Sequence, residues 1–414
     1  MIERNGVIWA YRYILNREPE SEEAINVAAG SVSSPLELRR LLRKSREFSG
    51  YLERAGQPFV SHATLDWREG IIWAYRLLLD RDPTESELED GLGRENSVND
   101  VRLRILLSQE REGRWPGLDP LADFSILNAF APFPAKSPVA DAFVDFLGSA
   151  TKTRYLDPLN GLDGYVYRGV PRAAEAGHHG TSEWIGTLRS TLEAGGSFTA
   201  MELGAGWAPW LVVARRASAL LGIADVSLTG VEASEEHYHY MVDHLTSNGI
   251  DPQQHALHRA IAAPEDGVAM FPRLFANHDY GANAAFNETE RKSTANFGEL
   301  EEIKALSLNT LLRGKARVDL IHIDIQGHEL EVVKAGIEAL NATTRRMVIG
   351  THSRTIDGNM MDFLHGHGWI CESESPCRLA RNPNGSLRLS VDGEQVWRND
   401  RIPVIAGRLA AVAH

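Results

Sequence analysis

The stretch Met201-Glu202-Leu203-Gly204-Ala205-Gly206 reads as a strand that runs into a glycine bend, with a helix beginning near Trp207 to Trp210. Glycines at 204 and 206 let the backbone turn tightly and approach a ligand closely, at the carboxyl edge of a sheet where α/β folds bind nucleotides. Working outward, short apolar runs at 198–203, 226–231, 255–260, 319–323 and 347–350 read as strands, and 207–221, 235–248 and 329–340 as helices. In the last helix Leu330, Val333, Ile337 and Leu340 share one face, which predicts packing on the sheet. Strands alternating with amphipathic helices predict a mostly parallel, doubly wound α/β sheet. The segments 386–391 and 394–397 alternate around Asp392-Gly393, a strong turn signal, and predict a C-terminal antiparallel hairpin.

The second strand ends at Gly230-Val231-Glu232, where a carboxylate can accept hydrogen bonds from both hydroxyls of a ribose. A dinucleotide fold wants a third glycine at position 209, so that a pyrophosphate can rest on the helix N-terminus. This chain has Pro209, which supplies no N–H. NAD is disfavoured, and an NAD-dependent oxidoreductase is kept as the rival reading.

Upstream lies an internal repeat. Ile8-Trp9-Ala10-Tyr11-Arg12 with Leu15, Arg17 and Pro19 recurs 64 positions later as Ile72-Trp73-Ala74-Tyr75-Arg76 with Leu79, Arg81 and Pro83. The spacing predicts a helix in each copy, ended by the proline and closed by a second helix at 38–48 and 101–111. Each second helix carries a Ser-x-Glu, Ser45/Glu47 and Ser108/Glu110. Over residues 6–113 this pattern resembles small helical repeats attached to enzymes that act on glycans. The aromatic stripes Trp9/Tyr11 and Trp73/Tyr75 read as packing between helices, with carbohydrate stacking as the alternative. A proline-rich stretch follows, so we divide the chain into a small all-α repeat domain, 1–118, and an α/β domain, 119–414.

The 414-residue chain carries a net charge of −13, which argues against nucleic acid as a partner. Two cysteines, Cys371 and Cys377, offer neither a disulfide framework nor a zinc spacing. No apolar run reaches membrane-spanning length and the N-terminus lacks a signal pattern, so we expect no membrane insertion and a cytoplasmic location. Oligomeric state, including homo-oligomerisation, stays open.

The run Ala305-Leu-Ser-Leu-Asn-Thr-Leu-Leu312, followed by Val318-Asp-Leu-Ile-His-Ile-Asp-Ile-Gln-Gly-His-Glu-Leu-Glu-Val-Val-Lys-Ala-Gly336, resembles the FkbM family of methyltransferases. With Glu202-Leu-Gly-Ala-Gly206 and Glu232 the resemblance spans 196–370. It implies a class I (Rossmann-like) methyltransferase fold and transfer of a methyl group from S-adenosylmethionine to oxygen, on a sugar, glycan or polyketide-like hydroxyl. Three positions depart from the family pattern: His322 replaces a Lys, Gln326 a Glu and Asn309 an Asp. Gln326 and Asn309 keep alive a third reading, a binding module without catalysis in polysaccharide assembly.

On this reading the cofactor is held by Glu202, Gly204, Ala205, Gly206, Glu232, Ala233, Ile261 and Asp324, with Glu202 near the methionine end. Methyl transfer to a hydroxyl needs in-line approach and removal of a proton. Asp324, His328 and His352 are the candidate catalytic groups. Acceptor contacts are expected from Tyr165, from His179 in the Gly- and His-rich loop 177–183, from Asn283 in the polar loop 271–297, and from Glu329 and Arg354. No metal is expected, since magnesium prefers oxygen over the imidazole of His352.

Overall fold

The computed structural model describes residues 2–15, 17–43, 65–79, 81–93, 137–156, 161–167, 180–274, 279–382 and 384–405, with isolated positions between 97 and 159. The chain divides into two compact units, one within Met1–Pro134 and one within Ala135–Ala406.

Every labelled element of the first unit is a helix. Helix α1, Arg4–Ala10, continues as one π-turn, Tyr11–Leu15; then come α2, Glu22–Ser31; α3, Pro35–Arg43; α4, Trp67–Leu79; and α5, Glu85–Leu92. The expectation of two helices per repeat is corrected here, because α2 and α5 intervene. Their starts are marked by capping: Ser21 accepts from Ala24 N, and Thr84 with Glu87 forms a capping box. The expected helix 38–48 is α3, displaced toward its N-terminus, and 101–111 falls largely outside the described residues, as do Ser45, Glu47, Ser108 and Glu110.

The repeat is legible in three dimensions. Helices α1 and α4 cross so that Trp73 fills the space a side chain at Gly6 would need, and Trp9 fills that at Gly70. Asn5 donates to Glu69 across the same contact. In each copy an arginine covers the tryptophan ring, Arg12 over Trp9 at 4.5 Å and Arg76 over Trp73 at 4.9 Å. Both indoles are buried, 2% and 3% exposed. Packing therefore wins over carbohydrate stacking for these aromatics.

The second unit begins with a two-stranded ribbon, β1 (Ala142–Val144) and β2 (Ala150–Lys152), followed by α6 (Thr181–Glu193). The core elements are β3 (Ser197–Leu203), α7 (Pro209–Leu220), β4 (Asp225–Glu232), α8 (Glu235–Ser247) and β5 (Ala256–Arg259). Strands β6 (Ile261–Ala263) and β7 (Gly267–Pro272), helix α9 (Glu288–Thr294) and β8 (Leu300–Ser307) follow. The chain closes with β9 (Val318–Ile323), α10 (Glu329–Thr343), β10 (Thr344–Thr351), α11 (Arg354–Gly366), β11 (Ile370–Ser375), β12 (Arg378–Arg381), β13 (Leu387–Val391) and β14 (Gly393–Arg398).

The central sheet is mixed, seven strands in the order β11-β14-β10-β9-β3-β4-β5. Only β14 runs against its neighbours. Alternate residues of each strand serve opposite faces. Met201, Leu203, Ile321, Ile323, Met347 and Ile349 join Leu330, Val333, Ile337 and Leu340 of α10 in one core, while Glu202 and His322 point to α7 and α6. Wrapping on both faces buries all of β9 and β10. From β3 the chain moves outward through β4 to β5, and it returns on the other side as β9. A switch point of this kind opens a crevice at the carboxyl ends of β3 and β9.

The predicted hairpin of 386–391 with 394–397 is not formed. Strand β13 pairs with β12, and β14 enters the central sheet between β10 and β11. Asp392-Gly393 carries the chain from one sheet to another, while β12 and β13 pair with each other and Asn382 N donates to Ser386 O beyond their ends. Among the described residues no helix is long and apolar enough to cross a membrane.

Candidate active site

The glycine bend is zipped to both neighbouring strands. Gly204 N and Ala205 N donate to Val231 O at 2.9 and 3.0 Å, and Asp324 N donates to Leu203 O at 2.9 Å. Gly204 and Gly206 take φ of +73° and +54°, the left-handed region. A side chain at 204 would lie 1.7 Å from the Asp324 carbonyl oxygen, so only glycine lets β3 and β9 meet here.

Past the bend, α7 starts at Pro209, and its first available donors, Trp210 N and Leu211 N, reach the Glu202 carboxylate at 3.4 and 3.0 Å. Burial pushes this carboxyl up to about 8 despite those bonds. Glu202 thus acts on the helix start, holding the loop that lines the pocket. With the helix N-terminus occupied by a protein carboxylate, a pyrophosphate there would have to displace it, which disfavours NAD.

Glu232, at the end of β4, accepts from Gly206 N and from Ser234 N, each at 2.7 Å. Burial raises its carboxyl to about 7, partly offset by those donors. Gly204, Ala205, Gly206, Glu232, Ala233, Ile261, Glu202 and Asp324, the expected cofactor residues, all line one pocket. Sequence reasoning missed its other wall. Tyr280 stacks parallel on His237 at 4.0 Å, meets Trp207 edge-on, and donates its hydroxyl to Tyr155 O at 2.5 Å. From the polar loop 271–297, expected to meet the acceptor through Asn283, it is Tyr280, Ala282 and Ala284 that line the pocket, while Asn283 accepts from Thr294.

Across the pocket stands Asp324, just past β9, with its side chain 39% exposed. Its Oδ1 takes Gln326 Nε2 at 3.0 Å and faces His352 Nε2 at 3.2 Å. Gln326 adopts φ +56°, which folds its amide back onto Asp324. An ionised Glu at this position has no proton to donate, so the departure from the family pattern adds a hydrogen bond. The other ring nitrogen of His352, Nδ1, is 2.8 Å from Glu329 Oε1. Burial lowers the affinity of His352 for a proton, but the bonds and charges of Asp324 and Glu329 outweigh it and push the imidazole up to about 11. One potential ligand atom each from Asp324, Glu329 and His352 lies within 4.8 Å of the others, close enough to hold a metal ion, with the imidazole between the two carboxylates.

His352, a candidate base, has a carboxylate facing each ring nitrogen, Asp324 at Nε2 and Glu329 at Nδ1, and does not itself line the pocket. Glu329 was a candidate acceptor contact, and it is fully buried, its Oε1 taking Ile325 N and Gly327 N besides His352. It supports His352. His328 lines the pocket with its Nε2 3.1 Å from Ala284 O, which fixes the proton on Nε2 and leaves Nδ1 as the basic nitrogen.

Tyr165, exposed and stacked on Phe143, does not line the pocket. Neither do Asn283 or Arg354, the latter lying 3.7 Å from Asp357. His179 lies outside the described residues. His322 is buried against Trp210 and bonded to Glu183 of α6 at 2.9 Å, beneath the pocket it helps line. Asn309 is exposed and donates to Ala335 O, remote in role from the pocket.

Comparison with known proteins fits this geometry. A family model described as the methyltransferase FkbM domain matches residues 207–371. A "Putative methyltransferase" of Jannaschia sp. (strain CCS1) is 34% identical over 230 residues, 55% of this chain and 81% of that protein. Among solved structures, precorrin-6y C5,15-methyltransferase of Geobacter metallireducens is 14% identical over 55% of this chain and 92% of its own, at a TM-score of 0.30. The ribosomal protein L11 methylase of Lactobacillus delbrueckii subsp. bulgaricus is 12% identical over 57% and 87%, also at 0.30. Those two likenesses are too weak to bear on this chain, but the sequence relative and the matched domain are not: this protein belongs to the FkbM-domain methyltransferases.

Proposed function

We propose that this chain transfers the methyl group of S-adenosylmethionine to a hydroxyl oxygen of a sugar, glycan or polyketide-like acceptor. The observation that carries the cofactor is Glu232 fixed on Gly206 N. Each carboxylate oxygen spends one lone pair on a backbone donor, and a second remains on each for the paired hydroxyls of a ribose. Ala233, Ala260, Ile261 and Phe271 supply an apolar wall for a purine. When bound, S-adenosylmethionine supplies a methyl carbon on a sulfonium, already electrophilic.

The chain's own residues then handle the acceptor. Asp324 takes the proton of the attacking hydroxyl, held in orientation by His352 and Gln326, while Glu329 holds His352. His328 Nδ1 is the second group in the pocket able to accept it. His322, with Glu183, occupies the place of the family's Lys beneath the pocket. A sugar or glycan acceptor is supported by the resemblance of the N-terminal repeats to modules of glycan enzymes.

Calorimetry with S-adenosylhomocysteine and with NAD tests the cofactor. We expect saturable binding of the first and none of the second; NAD binding alone would overturn the proposal. Incubation with labelled cofactor and cell glycan extracts tests the acceptor.

A further inference from the structure

The segment Pro376–Val391 carries three arginines, Arg378, Arg381 and Arg388, and no acidic residue, in a chain whose net charge is −13. It folds as the β12/β13 ribbon, with Leu379 opposite Leu389 and Arg381 opposite Leu387. Leu379, Leu387 and Val391 are 49%, 61% and 49% exposed. None of the three arginines meets a carboxylate among the described residues; Arg381 and Arg388 reach only backbone carbonyls. A two-stranded ribbon is marginal alone, so leucines left in water on it need a partner to account for them.

The ribbon is anchored beside the pocket. Cys377 N donates to Asp357 at 2.8 Å, Cys377 Sγ to Thr351 O at 3.2 Å, and Gly393 packs on Thr351, the residue before His352. Asp392, at the ribbon's base, feels the charges of His352, Asp324 and Glu329.

We infer that this ribbon docks the protein on an anionic lipid surface, with the leucines entering the headgroup boundary and the arginines meeting lipid phosphates. Interleaved aliphatic and cationic side chains suit that boundary, where each basic residue adds attraction and the stems of arginines lie along apolar surface. Single-stranded nucleic acid is disfavoured because the segment has no aromatic residue for base stacking. Docking brings the Asp324 side of the pocket to the lipid, so an acceptor borne on lipid is presented to it; that last point rests on the proposed methyl transfer, whereas docking does not.

Flotation of the full chain with vesicles tests this. The protein is expected to float with phosphatidylglycerol/phosphatidylcholine vesicles at low salt and to stay behind with phosphatidylcholine alone. Arg381→Gln, on the face that carries Leu379, Leu387 and Leu389, weakens partitioning about fivefold, whereas Arg388→Gln, paired with Ala380 on the opposite face, weakens it less. L379S/L387S abolishes the part of binding that survives high salt. These side chains lie outside the packed core, so melting temperature and S-adenosylhomocysteine binding are expected to hold, which separates loss of docking from loss of fold or cofactor. Absence of vesicle binding overturns the inference. So does binding that the ribbon variants leave unchanged, or equal binding to a soluble polyanion that L379S/L387S does not affect.

Discussion

Two carboxylates flank β3, and the molecule treats them differently. Glu232 is buried and tied by backbone donors two residues on and across the adjacent bend. Asp324 is half-exposed and held by side chains, Gln326 from its own turn and His352 from beyond the next strand. Backbone donors make a rigid grip that exists before any ligand arrives. Side-chain donors leave a group partly open to the pocket, as the proposed proton transfer needs. The contrast supports the proposed division, with Glu232 binding the cofactor and Asp324 serving the chemistry.

The most damaging test removes what both acids share. Gly204→Ala drives a methyl into the Asp324 carbonyl and forces a strained φ; we expect a loss of about 3 kcal/mol or more in urea melts together with loss of cofactor binding. A variant as stable and as tight as the parent would break the picture of a zipped bend. Next in size, Asp324→Asn is expected to lower kcat by about 10²–10⁴-fold while cofactor Kd stays nearly constant. Equal turnover would transfer the proton to His328, and no turnover in the parent would return the chain to the role of a binding module.

Glu232→Gln sharpens the other side. Loss of charge-assisted bonds to a ribose is worth about 1.5–3 kcal/mol, so cofactor Kd should rise by roughly 10- to 100-fold in calorimetry, with kcat at saturation little changed. A fall in kcat at constant Kd would reverse the two roles.

A smaller effect comes from Glu202, whose buried carboxyl is pushed up to about 8 in the folded chain from an ordinary 4.5. The folded state therefore binds a proton that the unfolded state releases. Its contribution to stability is complete below pH 4.5, declines as pH rises, and is gone above about 8. Thermal melts of Glu202→Gln should lack that slope, shifting by a few degrees relative to the parent between pH 5 and 8. Parallel profiles would place Glu202 outside the linkage. Smallest of all, restoring the family residue with Asn309→Asp should leave turnover unchanged and stability within about 0.5 kcal/mol, because the side chain is exposed.

The bend, Glu232 and Asp324 were legible because strand ends and glycine turns are local patterns, and a parallel sheet places them along one edge. The strands at 198–203, 226–231 and 319–323 fall within a residue of those observed, since burial on both faces leaves nearly continuous apolar runs. Tyr280, His237 and His322 were not, because nothing in their neighbourhoods distinguishes a pocket wall from a loop or a core. The misread hairpin has the same origin. Asp392-Gly393 is a good turn, but a turn does not choose between neighbouring strands and two separate sheets; the open slot beside β10 chose.

By itself, then, the sequence determined the alternating core strands and helices of the α/β domain, the glycine bend, the internal repeat and the acids at the strand ends, because each depends on residues close in the chain. Tertiary structure alone decided that Trp9 and Trp73 fill each other's glycines, that His352 is clamped by Asp324 and Glu329, and that β14 lies between β10 and β11. Those outcomes depend on which surfaces meet across long loops, and the free energy that selects them is packing and pairing between segments that no local pattern brings together.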